Sequence, residues 1–70
     1  QKKLDYYYTD YKDEVLKDKN FVSDYSKKSI KNNNNYSEDF AESIAFFFIN
    51  KEAFENKFPN RTKFIISILD

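Results

Sequence analysis

The sequence has no cysteine, no histidine, no glycine, no methionine and no tryptophan, and its one proline is Pro59. Without cysteine there are no disulfides. Without cysteine or histidine, a Cys/His zinc site cannot form from this chain alone. The lack of glycine removes Gly-rich phosphate loops and disfavours all-β folds, whose tight hairpins rely on it. Long apolar runs are missing too. The longest uncharged apolar run, Ile44 to Ile49, is far short of the about 20 residues a membrane-spanning helix needs. Neither sign of charge dominates: 12 basic residues face 12 acidic ones. With no basic field to attract it, nucleic acid is a poor candidate partner.

What is present is a polar chain of 70 residues with 20% aromatics. That length makes one small domain, which hides only roughly 60% of its unfolded surface and usually needs a staple or a partner. The chain begins at Gln1 and holds no methionine, which predicts a segment of a longer protein.

Periodicity predicts an all-α fold, a single bundle of four to five helices spanning residues 1–70. Leu4, Tyr7, Tyr8, Tyr11, Val15 and Leu16 recur at three- and four-residue steps, giving a helix from Leu4 to about Lys19. The tyrosines read as a packing stripe rather than a binding platform. Phe21 to Tyr25 is either a short extended piece or one helical turn. Lys27 to Asn35, with four successive asparagines, reads as an exposed loop because it has no face to bury. Ser37 is a good N-cap, with Glu38 and Asp39 in the first turn of a helix to about Ile49. Asn50 caps a helix from Lys51 to Phe58, Pro59 ends it, and Asn60 caps a last helix from Arg61 to Leu69. Phe64, Ile65, Ile68 and Leu69 share a face of that last helix.

The helix from Glu38 to Ile49 carries the most chemistry. On a wheel of about 100° per residue, Asp39, Ser43 and Asn50 cluster in one sector, read as the wet side. Glu38 and Glu42 lie instead beside Ala41, Ala45 and Ile49, on the side expected to face protein. A carboxylate there must be paired, protonated or bound to a metal. Glu at i and i+4 aligns the two carboxylates, so that one can ligate a metal while the other holds a ligating histidine by its second nitrogen. The alternative is that Glu38 merely suits a helix N-terminus and Glu42 sits at the edge of the exposed face.

The segment Ser37-Glu38-Asp39-Phe40-Ala41-Glu42-Ser43-Ile44-Ala45 resembles the Glu-x-Phe-Ala-Glu-x-Phe-Ala helix of gluzincin metallopeptidases related to anthrax lethal factor and the Pro-Pro endopeptidases. Phe21-Val22-Ser23-Asp24-Tyr25-Ser26 is similar to the Phe-x-Ser-x-Tyr-Ala segment that precedes that helix in secreted relatives. Phe58-Pro59-Asn60-Arg61 with Phe64 is similar to their C-terminal region. The resemblance implies the C-terminal helical part of a zincin-like catalytic domain. It implies zinc as cofactor, a peptide substrate, and a secreted or cell-surface bacterial setting. By it, Glu38 is the third zinc ligand, Glu42 supports a zinc-bound histidine, and Tyr25 donates a hydrogen bond to the oxyanion of the tetrahedral intermediate. Two departures stand out. The His-Glu-x-x-His helix is absent from these residues, so the zinc histidines would come from the remainder of the parent peptidase domain. The stretch between Tyr25 and Glu38 is longer than the family pattern by about the Lys27 to Asn35 segment, an insertion-like loop. Tyr36 is the other candidate for the phenol, and it fits better as a hydrophobic residue before the N-cap.

The chain alone is thus not a working enzyme. The competing expectation is a catalytically inert helical interaction domain that docks on a partner and binds no metal. The Phe46-Phe47-Phe48 helix suits both, because its apolar surface exceeds what 70 residues easily cover.

Overall fold

The computed structural model describes the backbone of residues 2–69 and the side chains of residues 10–69. Five helices follow one another: α1 (Lys2–Asp18), α2 (Asp24–Asn33), α3 (Ser37–Ile49), α4 (Lys51–Lys57) and α5 (Pro59–Leu69), with no strand among the described residues. The expected small all-α bundle is what forms. α1 lies along α5, α2 along α3, and α4 bridges α3 and α5. The Cα radius of gyration is 11.2 Å, matching the about 11 Å of a compact chain of this length. The five helices therefore close on themselves.

In place of glycine, two other residues take the left-handed backbone that ends a helix. Lys19 (φ 63°) ends α1 and Asn34 (φ 51°) ends α2. Asparagine tolerates this conformation well, whereas lysine pays about 1 kcal/mol for it. α1 stops where the periodic stripe stops. Tyr11 and Val15 are buried as expected, and Leu16 is exposed. Leu4, Tyr7 and Tyr8 lie outside the described side chains.

The segment read as a loop from Lys27 to Asn35 is helical as far as Asn33. Ser23 caps it: its side chain accepts from the Ser26 N–H at 3.0 Å, and Ser26 Oγ accepts from the Ser23 N–H at 3.2 Å. The buried residues of α2 are Ser26 and Ser29, and Ile30 packs against the core. Small side chains let the helix sit close to its neighbours while its lysines stay in water.

Two more boundaries differ from expectation. Tyr36, not Ser37, stands at the cap of α3 and makes no side-chain cap bond. The Asn35 side chain does the capping, accepting from the Ser37 N–H at 2.9 Å and the Ser37 hydroxyl at 2.7 Å. Pro59 does not only end α4. It is the first residue of α5, a position where its missing N–H costs nothing. Asn60 lies inside that helix, and the cap comes from Asp18 at the end of α1. Asp18 accepts the Asn60 N–H at 2.8 Å and the Arg61 N–H at 3.0 Å. Asn50 caps α4 as expected, accepting from the Ala53 N–H at 3.1 Å.

The core has two parts. Phe47, Phe54, Phe58 and Ile65 form one, with Val22, Ile44 and Phe46 against it. Tyr11, Val15 and Phe64 form the other, with Ile30, Tyr36, Phe40 and Ile68 against it. Leu69, expected on the inner face of α5, is exposed. Many aromatic pairs meet edge to face, as Phe46 and Phe54 do with ring centres 5.3 Å apart.

Candidate functional site

The residues singled out in the sequence lie on α3 and α2, and the setting of α3 decides what each can do. The sector read as wet is the inner one. Asp39 and Ser43 are both 0% exposed, and Phe47, one turn on, is buried with them. Of that sector, Asn50 alone is exposed. The reason is Arg61, which reaches in from α5. Its Nε donates to Asp39 Oδ1 at 2.8 Å and its Nη2 to Asp39 Oδ2 at 2.9 Å, a two-pronged pair between side chains that are both fully buried. Its Nη1 donates to Asp18 Oδ2 at 3.1 Å and its Nη2 to the Asn20 carbonyl at 2.8 Å. The guanidinium also lies over the Phe58 ring, 4.8 Å from its centre.

The Tyr11 hydroxyl donates to Asp39 Oδ1 and stands 2.8 Å from Ser43 Oγ. No buried side-chain nitrogen or oxygen is left without a partner among the described residues. Burial, and then the Asp39 carboxylate beside it, raise the Tyr11 phenol above its ordinary value near 10. Burial by itself would lower the Arg61 pKa, but the hydrogen bonds and charge of Asp39 outweigh it and hold Arg61 above its ordinary value. The network therefore joins the Arg61 guanidinium to two carboxylates, Asp39 and Asp18, and to the Tyr11 phenol. It ties α1, α3 and α5 together.

The opposite side of α3 is open. Ala41, Ala45, Phe48 (65% exposed) and Ile49 (83% exposed) lie with Glu38 in one arc about 100° wide. Glu38 is half-buried, and its carboxylate takes no hydrogen bond or ion pair among the described residues. Glu42 flanks the arc, and its Oε1 accepts the Ser23 hydroxyl. Tyr25, in the first turn of α2, is 60% exposed. Tyr36 is half-buried in the second apolar cluster, with Lys12 Nζ 5.7 Å from its ring centre. That is the packing role expected of it, although it stands at the cap of α3 itself rather than before it.

Two surface grooves are lined by described residues, one of about 350 Å³ beside Glu14 and Phe64 and one of about 290 Å³ along the lysines of α2. Neither groove is lined by Glu38, Glu42 or Tyr25. No group of three His, Cys, Asp or Glu that could hold a metal ion stands together among the described residues. The donors here fit a metal as one carboxylate among ligands from elsewhere, not as a complete site. Sequence reasoning missed Arg61, Tyr11 and Ser23 as partners of the α3 polar residues, and Asp18 as a second carboxylate partner of Arg61. One signal was present: Arg61 is the one arginine in a chain whose other basic residues are lysines. A planar guanidinium is the side chain suited to grip a buried carboxylate with two bonds. No family model matches this chain, and neither a curated protein nor a solved structure matches it.

Proposed function

We propose that this chain is the C-terminal helical part of a zinc-dependent metalloendopeptidase of the gluzincin type. The observation that supports this best is the open arc of α3. A helix whose other sides are packed leaves two alanines, a phenylalanine and an isoleucine in water, with an unpaired carboxylate among them. Ala41 and Ala45 are small enough for a second helix to approach closely. Glu38 would then stand as a zinc ligand beside histidines on a His-Glu-x-x-His helix carried by the rest of the protein. The Glu42 carboxylate has a second oxygen, Oε2, to hold one of those histidines while Oε1 keeps Ser23. The Tyr25 phenol would donate to the oxyanion of a peptide substrate. Bound zinc would polarise the scissile carbonyl and acidify a water molecule. A secreted or cell-surface bacterial setting belongs to the same proposal.

The test is zinc binding by the longest natural form of the protein. Glu38→Gln is expected to weaken zinc affinity by at least about 10-fold, with the far-UV circular dichroism unchanged. Zinc binding indifferent to Glu38, or no His-Glu-x-x-His helix in that longer form, overturns it. The exposed Phe48 and Ile49 also favour a second reading, a helical domain that docks on a protein partner without metal. Phe48→Ala would then weaken partner binding while zinc had no effect.

A further inference from the structure

Glu42 has a partner in this chain that support of a histidine does not call for. Ser23 Oγ accepts the Ser26 N–H at 3.0 Å, ending α2 as its N-cap, and the same hydroxyl donates its one hydrogen to Glu42 Oε1. The rest of Ser23 is held as well. Its N–H donates to Ser26 Oγ at 3.2 Å, and its carbonyl accepts from Ser26 Oγ and from the Lys27 N–H, each at 3.0 Å. The hydroxyl hydrogen therefore leaves a rigid cap in a fixed direction. Among the described residues, this is the one side-chain hydrogen bond between α2 with its cap and α3. Tyr25 stands two residues beyond Ser23, and Glu38 stands one turn before Glu42.

We infer that Ser23 and Glu42 are a positioning pair that sets where α2, and with it Tyr25, stands relative to Glu38. The geometry stands on its own, and its catalytic meaning rests on the peptidase proposal. The capping and coupling roles of Ser23 can be separated. Ser23→Asp keeps a good cap acceptor but removes the donated hydrogen and sets a second carboxylate against Glu42. Glu42→Leu leaves the cap untouched and removes the acceptor. Ser23→Thr keeps both roles.

The cysteine-free chain allows a direct measurement. Lys28→Cys on α2 and Ala41→Cys on α3, both exposed, carry spin labels, and paramagnetic resonance reads the distance between them. The expected result is a narrow distribution that at least doubles in width in Ser23→Asp and in Glu42→Leu and stays narrow in Ser23→Thr. Amide exchange from Lys27 to Asn33 should stay within about twofold in Glu42→Leu, because the cap survives. An unchanged distribution in Glu42→Leu overturns the inference, whatever Ser23→Asp does to the fold. The measurement needs neither zinc nor substrate, so loss of the peptidase proposal would leave it standing. Glu38→Gln, which tests that proposal, leaves the distance unchanged.

Discussion

Replacing Asp39 by asparagine changes one atom in a fully buried polar group of the bundle. Asp39 accepts from Arg61 Nε at 2.8 Å, from Arg61 Nη2 at 2.9 Å, from Ser43 at 3.3 Å and from the Tyr11 hydroxyl. Asparagine keeps the shape, loses the charge, and sets an NH2 donor against one of these donors. Removing one partner of a buried pair costs about 3–5 kcal/mol, because the other charge stays buried without its counter-ion. Asp18 remains on Arg61 Nη1 at 3.1 Å, which places the cost near the lower end, about 3 kcal/mol. A chain of 70 residues has a total stability of about 3.5–10 kcal/mol at about 0.05–0.15 kcal/mol per residue. Asp39→Asn therefore removes about 30% or more of it. With a urea slope of about 1 kcal/mol per molar, the midpoint falls by about 3 M, read by far-UV circular dichroism. A loss under about 1 kcal/mol would refute the reasoning. So would simple additivity with Arg61→Met in a double-mutant cycle, since groups in direct contact should couple by about 0.5–3 kcal/mol.

The raised Tyr11 pKa has a pH consequence whose sign follows from the proton count. The unfolded chain loses this proton near pH 10 and the folded one retains it beyond, so the stability linked to Tyr11 is whole below about pH 10 and falls by about 1.4 kcal/mol per unit above it. The stability gap between wild type and Tyr11→Phe should therefore shrink with pH above that point in urea titrations; a constant gap would show that the phenol titrates normally. Phe54 is 0% exposed with ring neighbours at 5.1 and 5.3 Å, so Phe54→Ala should cost about 3–5 kcal/mol, whereas Phe48→Ala on the open arc should change the stability of this chain by less than about 0.5 kcal/mol. Thermal melts of the two variants check this, and a large loss from Phe48→Ala would mean that the arc is covered.

Much of the helical outline could be read from the sequence, because apolar spacing and Asn50 mark most of the elements. α2 could be read only in part, as one helical turn near Phe21–Tyr25, since no apolar period announces the rest. It stands on a serine capping box and on small buried serines, features that look like loop composition in a linear string. Pro59 was ambiguous for a physical reason: a proline that stops one helix also suits the first turn of the next. The cap of α5 was hidden because it comes from Asp18, 42 residues away from Asn60. The candidate site was half legible. The wheel grouped Asp39 with Ser43 and set Glu38 and Glu42 apart, which is how they stand. It could not say which group faces inward, because polarity alone assigns Asp39 to water until a cation from 22 residues further on makes its burial tolerable.

That inversion bears on what α3 is for. Turned half a revolution about its axis, the helix would bury Ala41, Ala45, Phe48 and Ile49 and release Asp39 to solvent, the usual outcome for a helix in a small bundle. The Asp39–Arg61 pair prevents it, since breaking that pair leaves a buried guanidinium. The pair thus forces an apolar arc into water, at about 25 cal/mol for each Å² of apolar surface left uncovered. Such an arrangement lowers the stability of the bundle alone and becomes favourable once another surface covers the arc. Glu38 lies in that arc, one residue before Asp39. The lock that turns the polar stripe inward is therefore also what sets Glu38 in the open arc. Releasing it by Asp39→Asn should scatter the Glu38 carboxylate before it unfolds α3.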